Sequence, residues 1–110
     1  RLSFSRLCRI GEGRYMFVVT LTYLKPLEEI ERHLQAHREF LDRQYADCVF
    51  LASGPKNPRD GGVILASGKV SKSELDAILR LDPFRQHGLA TYDVIEFTPV
   101  KSVPSLDGFL

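Results

Sequence analysis

Three features of this 110-residue chain predict an α+β domain with the element order β-α-β-β-α-β. Alternating β-branched and aromatic residues open and close the regular region, at residues 17–24 and 91–100. Two stretches with helical periodicity lie between them, and each is bounded by residues that start or stop helices. A pair of short apolar runs on either side of a turn-rich loop fills the middle. At this length one domain with one core is expected.

Residues 17–24 place Phe17, Val19, Leu21 and Tyr23 on one face and Val18, Thr20, Thr22 and Leu24 on the other, a strand with two partly apolar faces. Lys25-Pro26 ends it, and Pro26 suits the first turn of a helix running to about Tyr45. In that helix Leu27, Ile30, Leu34, Leu41 and Tyr45 share one narrow arc, while Arg32, Gln35, Glu39, Asp42 and Arg43 point away. Glu28 with Arg32, Glu39 with Arg43 and Arg38 with Asp42 are spaced to pair along its surface. Residues 49–53 form the second strand, closed by Gly54-Pro55, and residues 63–67 the third. Ser71 and Glu74 make a capping box for a second helix through Leu75, Ile78 and Leu79 to about Leu81, which Asp82-Pro83 stops. The last strand spans residues 91–100 and is expected to be the longest. Pro104 and Gly108 argue against regular structure beyond it.

This order is the split βαβ, or ferredoxin-like, arrangement: an antiparallel sheet with both helices on one face. Two helices cannot cover both sides. Val18, Leu24 and one set from Tyr92, Val94, Ile95 and Phe97 are left facing outward, and an apolar sheet face of that kind marks an interface. A homodimer with its sheets packed face to face is therefore expected.

Composition narrows the partners. Fifteen basic and fourteen acidic residues, a net charge of +1, create no field for a nucleic-acid backbone or an anionic membrane. No apolar run approaches the ~20 residues that span a bilayer, so a cytoplasmic protein is expected. Cys8 and Cys48 fit no metal spacing and are read as thiols rather than a disulfide. No Gly-rich loop follows a strand and opens a helix, so no cofactor is expected. Residues 1–15 differ in composition from the rest of the chain. Met16 reads as a natural start, with 1–15 a leader or expression-derived extension, 16–101 the domain and 102–110 a tail.

One residue interrupts the apolar arc of the first helix. His37 points into it, and imidazole is the side chain that titrates near neutral pH. Taken alone, it reads as a core histidine bonded to backbone. His33, four residues earlier, has the spacing of a second metal ligand, yet the segment lacks the glutamate of the zinc-protease motif and no third ligand is evident. No metal site is expected. His87 reads as a surface residue. Asp82 before Pro83 reads equally as the cap of a short helix through Phe84 and Arg85.

The segment from His37 through Ser53-Gly54-Pro55 to Asp82-Pro83-Phe84 and Gly88 resembles the YciI-like (YCII-related) family of small dimeric α+β barrel proteins. The likeness lies in the order and spacing of short motifs and covers Met16 to about Lys101. One departure is Cys48, in a turn where that family often holds glycine. The resemblance implies that His37 and Asp82 meet in a pocket as an active-site pair. Ser53 before Gly54-Pro55 reads as a plain strand terminus or as a substrate-binding end where its hydroxyl or the loop amides hold a substrate oxygen. A carboxylate on one ring nitrogen fixes the tautomer, leaving the other nitrogen to move a proton. The implied function is a cofactor-independent small-molecule enzyme: a lyase such as a dehydrohalogenase, an isomerase or a hydrolase. The alternative is a non-catalytic ligand-binding or structural dimer module. Tyr23 and Tyr92 either line the pocket or fill the interface.

Overall fold

The computed structural model describes residues 15–109. The proposed extension at residues 1–15 lies outside them except for Tyr15. Strand β1 (Met16–Tyr23) leads into helices α1 (Leu27–Arg32) and α2 (Leu34–Ala46). Strands β2 (Phe50–Pro55) and β3 (Gly61–Ala66) come next, then helices α3 (Lys72–Leu79) and α4 (Pro83–Gln86) and strand β4 (Ala90–Phe97). The four strands form one antiparallel sheet in the order β2-β3-β1-β4, the ferredoxin-like topology.

Alternation along β1 sets the layers. Phe17, Val19 and Leu21 are buried, facing Ala66, Ile64 and Gly62 of β3 across one pair of strands and Glu96, Val94 and Tyr92 of β4 across the other. Ile30 of α1, Phe40 of α2, Leu75 and Leu79 of α3 and Phe84 of α4 pack on this face and complete the core. The opposite face carries Val18, Thr20 and Thr22 beside Val63 and Leu65 of β3 and Ile95 and Phe97 of β4. On β4 the outward set is therefore Ile95 and Phe97, while Tyr92 and Val94 face the helices. Leu24 and Ile95 are each 56% exposed.

The first crossover is two helices, not one. At His33 the backbone turns to φ −108°, ψ 8°, so α2 starts with a new phase. In a straight helix Ile30 and Phe40 would lie ~80° apart around the axis; here both are wholly buried, whereas Leu27 is exposed. Phe40 and Gln44, not Leu34 and Leu41, are the most buried positions of α2. The expected surface pairs also rearrange: Arg32 bonds Glu29, Gln35 bonds Glu39, and Arg38 makes no ion pair with Asp42.

Both crossovers close with the same backbone device. At the end of α2, Cys48 N–H bonds the Tyr45 carbonyl and Val49 N–H bonds that of Gln44, with Cys48 at φ 59°. At the end of α4, Gly88 N–H bonds Arg85 and Leu89 N–H bonds Phe84, with Gly88 at φ 65°. Each is a Schellman cap, which needs a left-handed residue and so favours glycine. Cys48 holds that conformation despite its side chain, so the departure at this position leaves the turn geometry intact. Contrary to the reading of two thiols, Cys48 is disulfide-bonded.

The strand ends shift for local reasons. Gly54 and Pro55 do not close β2 but still pair with Val63 and Gly62, since an edge strand tolerates a residue without N–H. Strand β4 ends at Phe97, opposite Met16 where its partner begins, and is no longer than β1. Pro104–Phe109 winds into a short 3-10 helix, against the expectation of an irregular tail, because Pro104 is preset for a first helical position. Among the described residues no helix is long and apolar enough to cross a membrane.

Candidate active site

The site is assembled at the second helix break. Asp82 is extended, at φ −66°, ψ 125°, and caps α4: its Oδ1 accepts the Phe84 N–H at 3.0 Å, with Pro83 at the first helical position. The same oxygen lies 2.8 Å from His37 Nδ1, 45 positions away in sequence. Capping and pairing with His37 therefore coexist on one atom. Oδ2 accepts the Tyr92 hydroxyl at 2.6 Å.

Asp82 is completely buried and the His37 side chain is 11% exposed. A buried carboxylate is tolerable only when donors replace its water, and here three converge on it. With Asp82 as carboxylate, the His37 proton in this contact sits on Nδ1. Among the described residues Nε2 has no partner, and no buried side-chain nitrogen or oxygen lacks one, so Nε2 is accessible. Phe84 fixes the plane of the ring, stacking on His37 at 3.9 Å between centroids and 3° between planes. Tyr23 meets the Phe84 ring edge-on at 6.1 Å. Phe84 thus holds the aspartate through its backbone and the histidine through its ring.

A cavity of about 570 Å³ opens on this pair, within the range of small-molecule sites. His37 and Phe84 form one wall, and Ser53, Gly54 and Pro55 of β2 form another. Gly62 faces the helices opposite Leu21, and its lack of a side chain leaves the floor open. A Cβ added there would already stand 3.2 Å from the Gly54 carbonyl oxygen. The Ser53 hydroxyl hydrogen-bonds the Tyr45 hydroxyl. Every site residue predicted from sequence thus reaches this cavity or, for Asp82, lies directly behind it.

Other positions at or behind this cavity were not legible in the sequence. Tyr92 neither lines the cavity nor fills the open sheet face; it binds Asp82. Burial pushes its phenol far above the usual tyrosine range, and the Asp82 charge and hydrogen bond add to that. Its helix-facing place in the alternation of β4 was the available signal. Arg38 and Arg59 also line the cavity. Arg59 bonds Glu31 at 3.2 Å, and its guanidinium is held above its ordinary pKa by that bond first and by the Tyr23 hydroxyl second. His33 and His87 stack on one another at 4.1 Å. Among the described residues no three His, Cys, Asp or Glu side chains gather as a metal site.

A ferredoxin-like sheet with a histidine–aspartate pair at the edge of an open cavity defines a small α+β protein. The chain belongs to the YCII-related domain family, whose model matches residues 16–98. Its fold is similar to that of 5-chloro-2-hydroxyhydroquinone dehydrochlorinase (TftG) from Burkholderia phenoliruptrix AC1100, solved with 2,5-dihydroxybenzoquinone. That likeness has a TM-score of 0.62 at 18% identity, covering 79% of this chain and 95% of that one. A more distant likeness, TM-score 0.45 at 17% identity, covers 82% of this chain and 96% of SnoaB, a cofactor-independent oxygenase from Streptomyces nogalater. No curated protein matches the chain.

Proposed function

We propose that this protein is a cofactor-independent small-molecule enzyme in which His37 and Asp82 carry out general acid/base chemistry, of lyase, isomerase or hydrolase type. The observation that carries the reading is the 2.8 Å contact between His37 Nδ1 and Asp82 Oδ1, with Nε2 left unpartnered on a cavity wall. A histidine in a closed site would offer no free nitrogen to a substrate. Asp82 holds the proton on Nδ1 and the ring in place, so Nε2 is the atom that takes a substrate proton. The similarity to a dehydrochlorinase favours elimination. On a chlorinated hydroxyhydroquinone the step starts from the keto tautomer, with hydrogen and chlorine on one ring carbon: Nε2 takes the proton of a remaining ring hydroxyl, the O–H electron pair becomes a C=O bond, the conjugated π electrons shift, and chloride leaves with the electrons of its bond to carbon. Ser53, Gly54 and Pro55 border the bound substrate.

Chloride release from chlorinated hydroxyhydroquinones tests this reading. His37→Asn is expected to lower kcat by about 10²–10⁴-fold, the usual contribution of a general base, with an unchanged melting temperature. Equal turnover in the wild type and the variant would overturn it.

The reading includes a homodimer. The open sheet face with Val18, Val63, Leu65, Ile95 and Phe97 is covered, in this proposal, by the same face of a second copy. Such an interface is expected to bury more than ~1,000 Å² in total. Sedimentation should then report twice the chain mass, and a persistent monomer at micromolar concentration would refute the assembly.

A further inference from the structure

The cavity wall holds two guanidinium groups in different states. Arg59, from the loop between β2 and β3, is neutralised by Glu31 of α1 at 3.2 Å. Arg38 comes directly after His37 on α2 and lines the same cavity, yet no acceptor among the described residues bonds it, and Asp42, four residues on, does not pair with it. One forked, permanently charged donor therefore stands unmatched on the cavity that His37 also lines. Leu21, Leu34, Leu41 and Ile64 add apolar surface to the same lining. An apolar lining strengthens a charge–charge contact, and a guanidinium matches a planar oxyanion through two parallel hydrogen bonds.

We propose that the cavity selects a ring-sized organic anion, with its planar oxyanion on Arg38 and its ring beside His37. The inference rests on reading this cavity as the substrate site and adds the charge of the substrate. Losing the Arg38 charge then weakens an anion and spares its neutral isostere. Releasing Arg59 from Glu31 supplies a second cation and tightens the anion.

Calorimetric titration of the full chain with benzoate and benzamide tests this, because the two probes share ring and shape and differ in charge. Benzoate is expected to bind about tenfold more tightly than benzamide, the scale of one hydrogen bond to a charged group. Arg38→Gln should erase that preference, and Glu31→Gln should increase it. Arg38 is exposed, so Arg38→Gln should keep the wild-type melting temperature. His37→Asn separates the two proposals: it should lower chloride release by about 10²–10⁴-fold and leave the benzoate preference in place. Equal affinity for the two probes, benzoate binding unaffected by Arg38→Gln, or no benzoate binding at all would each overturn the anion site. The turnover assay would still decide proton transfer independently.

Discussion

Each half of the molecule crosses between strands through a helix broken in two, and the two breaks are built differently. The break between α1 and α2, at His33, has no side-chain cap; it is a change of backbone angles beside a stacked pair of imidazoles. The break between α3 and α4 is organised by Asp82, whose buried carboxylate caps α4 and gathers the His37 ring and the Tyr92 hydroxyl. The first break only redirects the chain. The second concentrates polar groups that must stay satisfied, a buried carboxylate held by several donors at once, and it is where the proposed chemistry is placed.

The sharpest way to break this comparison is to remove each hinge residue in turn. Asp82→Ala deletes a cap and strands the buried donors of Phe84 and Tyr92, so a loss on the order of 3–5 kcal/mol is expected in denaturant unfolding. His33→Ala should stay within about 1 kcal/mol, as for partly exposed positions without such features. Similar losses at both sites would show that the two breaks are energetically alike.

Tyr92→Phe sharpens the second break alone. It should cost about 1.5–3 kcal/mol, the range for a hydrogen bond to a charged group. Its signature is in alkali. Burial, then the Asp82 charge, raises the phenol in the folded state, so the native protein keeps a proton that the unfolded chain releases near pH 10. That stability is fully present below pH 10 and declines as the pH climbs above it. The variant should lack this decline, and parallel wild-type and variant profiles between pH 9 and 11 would refute the assignment.

The two crossovers share one feature, the left-handed residue after the last helix of each. Gly88→Ala should destabilise by about 1 kcal/mol, the cost of a Cβ in that conformation. A Cβ at this position meets nothing within 4 Å, so the penalty is conformational alone. A fall of about 4–8 °C in Tm is expected. The smallest effect belongs to the surface of the first crossover: Arg32→Ala, which removes the exposed pair with Glu29, should change stability by less than about 1 kcal/mol.

The architecture was legible because its signals are local. Alternation marked β1 and β4, Ser71 and Glu74 make the capping box seen at the start of α3, and Asp82-Pro83 caps α4. The break at His33 was not, because Leu27, Ile30 and Leu34 suit a continuous helix and no proline or glycine interrupts it. The arc of a straight helix through Leu27, Ile30, Leu34, Leu41 and Tyr45 does not include Phe40, which is wholly buried in the core. His37 and Asp82 were legible as candidates, one as a polar residue in an apolar arc and the other as a cap. Tyr92 was not, because its partner lies in the helix layer, and strand alternation indicates a face without naming what lies on it. Arg38 was hidden by a nearby acidic residue at a favourable spacing. Charge pairing along a helix is weak enough for a cavity to decide where such a side chain points.

The double duty of Asp82 Oδ1 limits how the protein can be altered. Any residue placed there must begin a helix as well as face an imidazole, so variation at position 82 is confined by architecture before chemistry enters. His37 carries no such obligation, since its backbone lies inside α2 and its ring alone meets the aspartate. An inert version that keeps the wild-type shape, for crystallising complexes or as a negative control, should therefore be made at position 37. Attempts to retune acidity should leave position 82 intact and alter the groups around it.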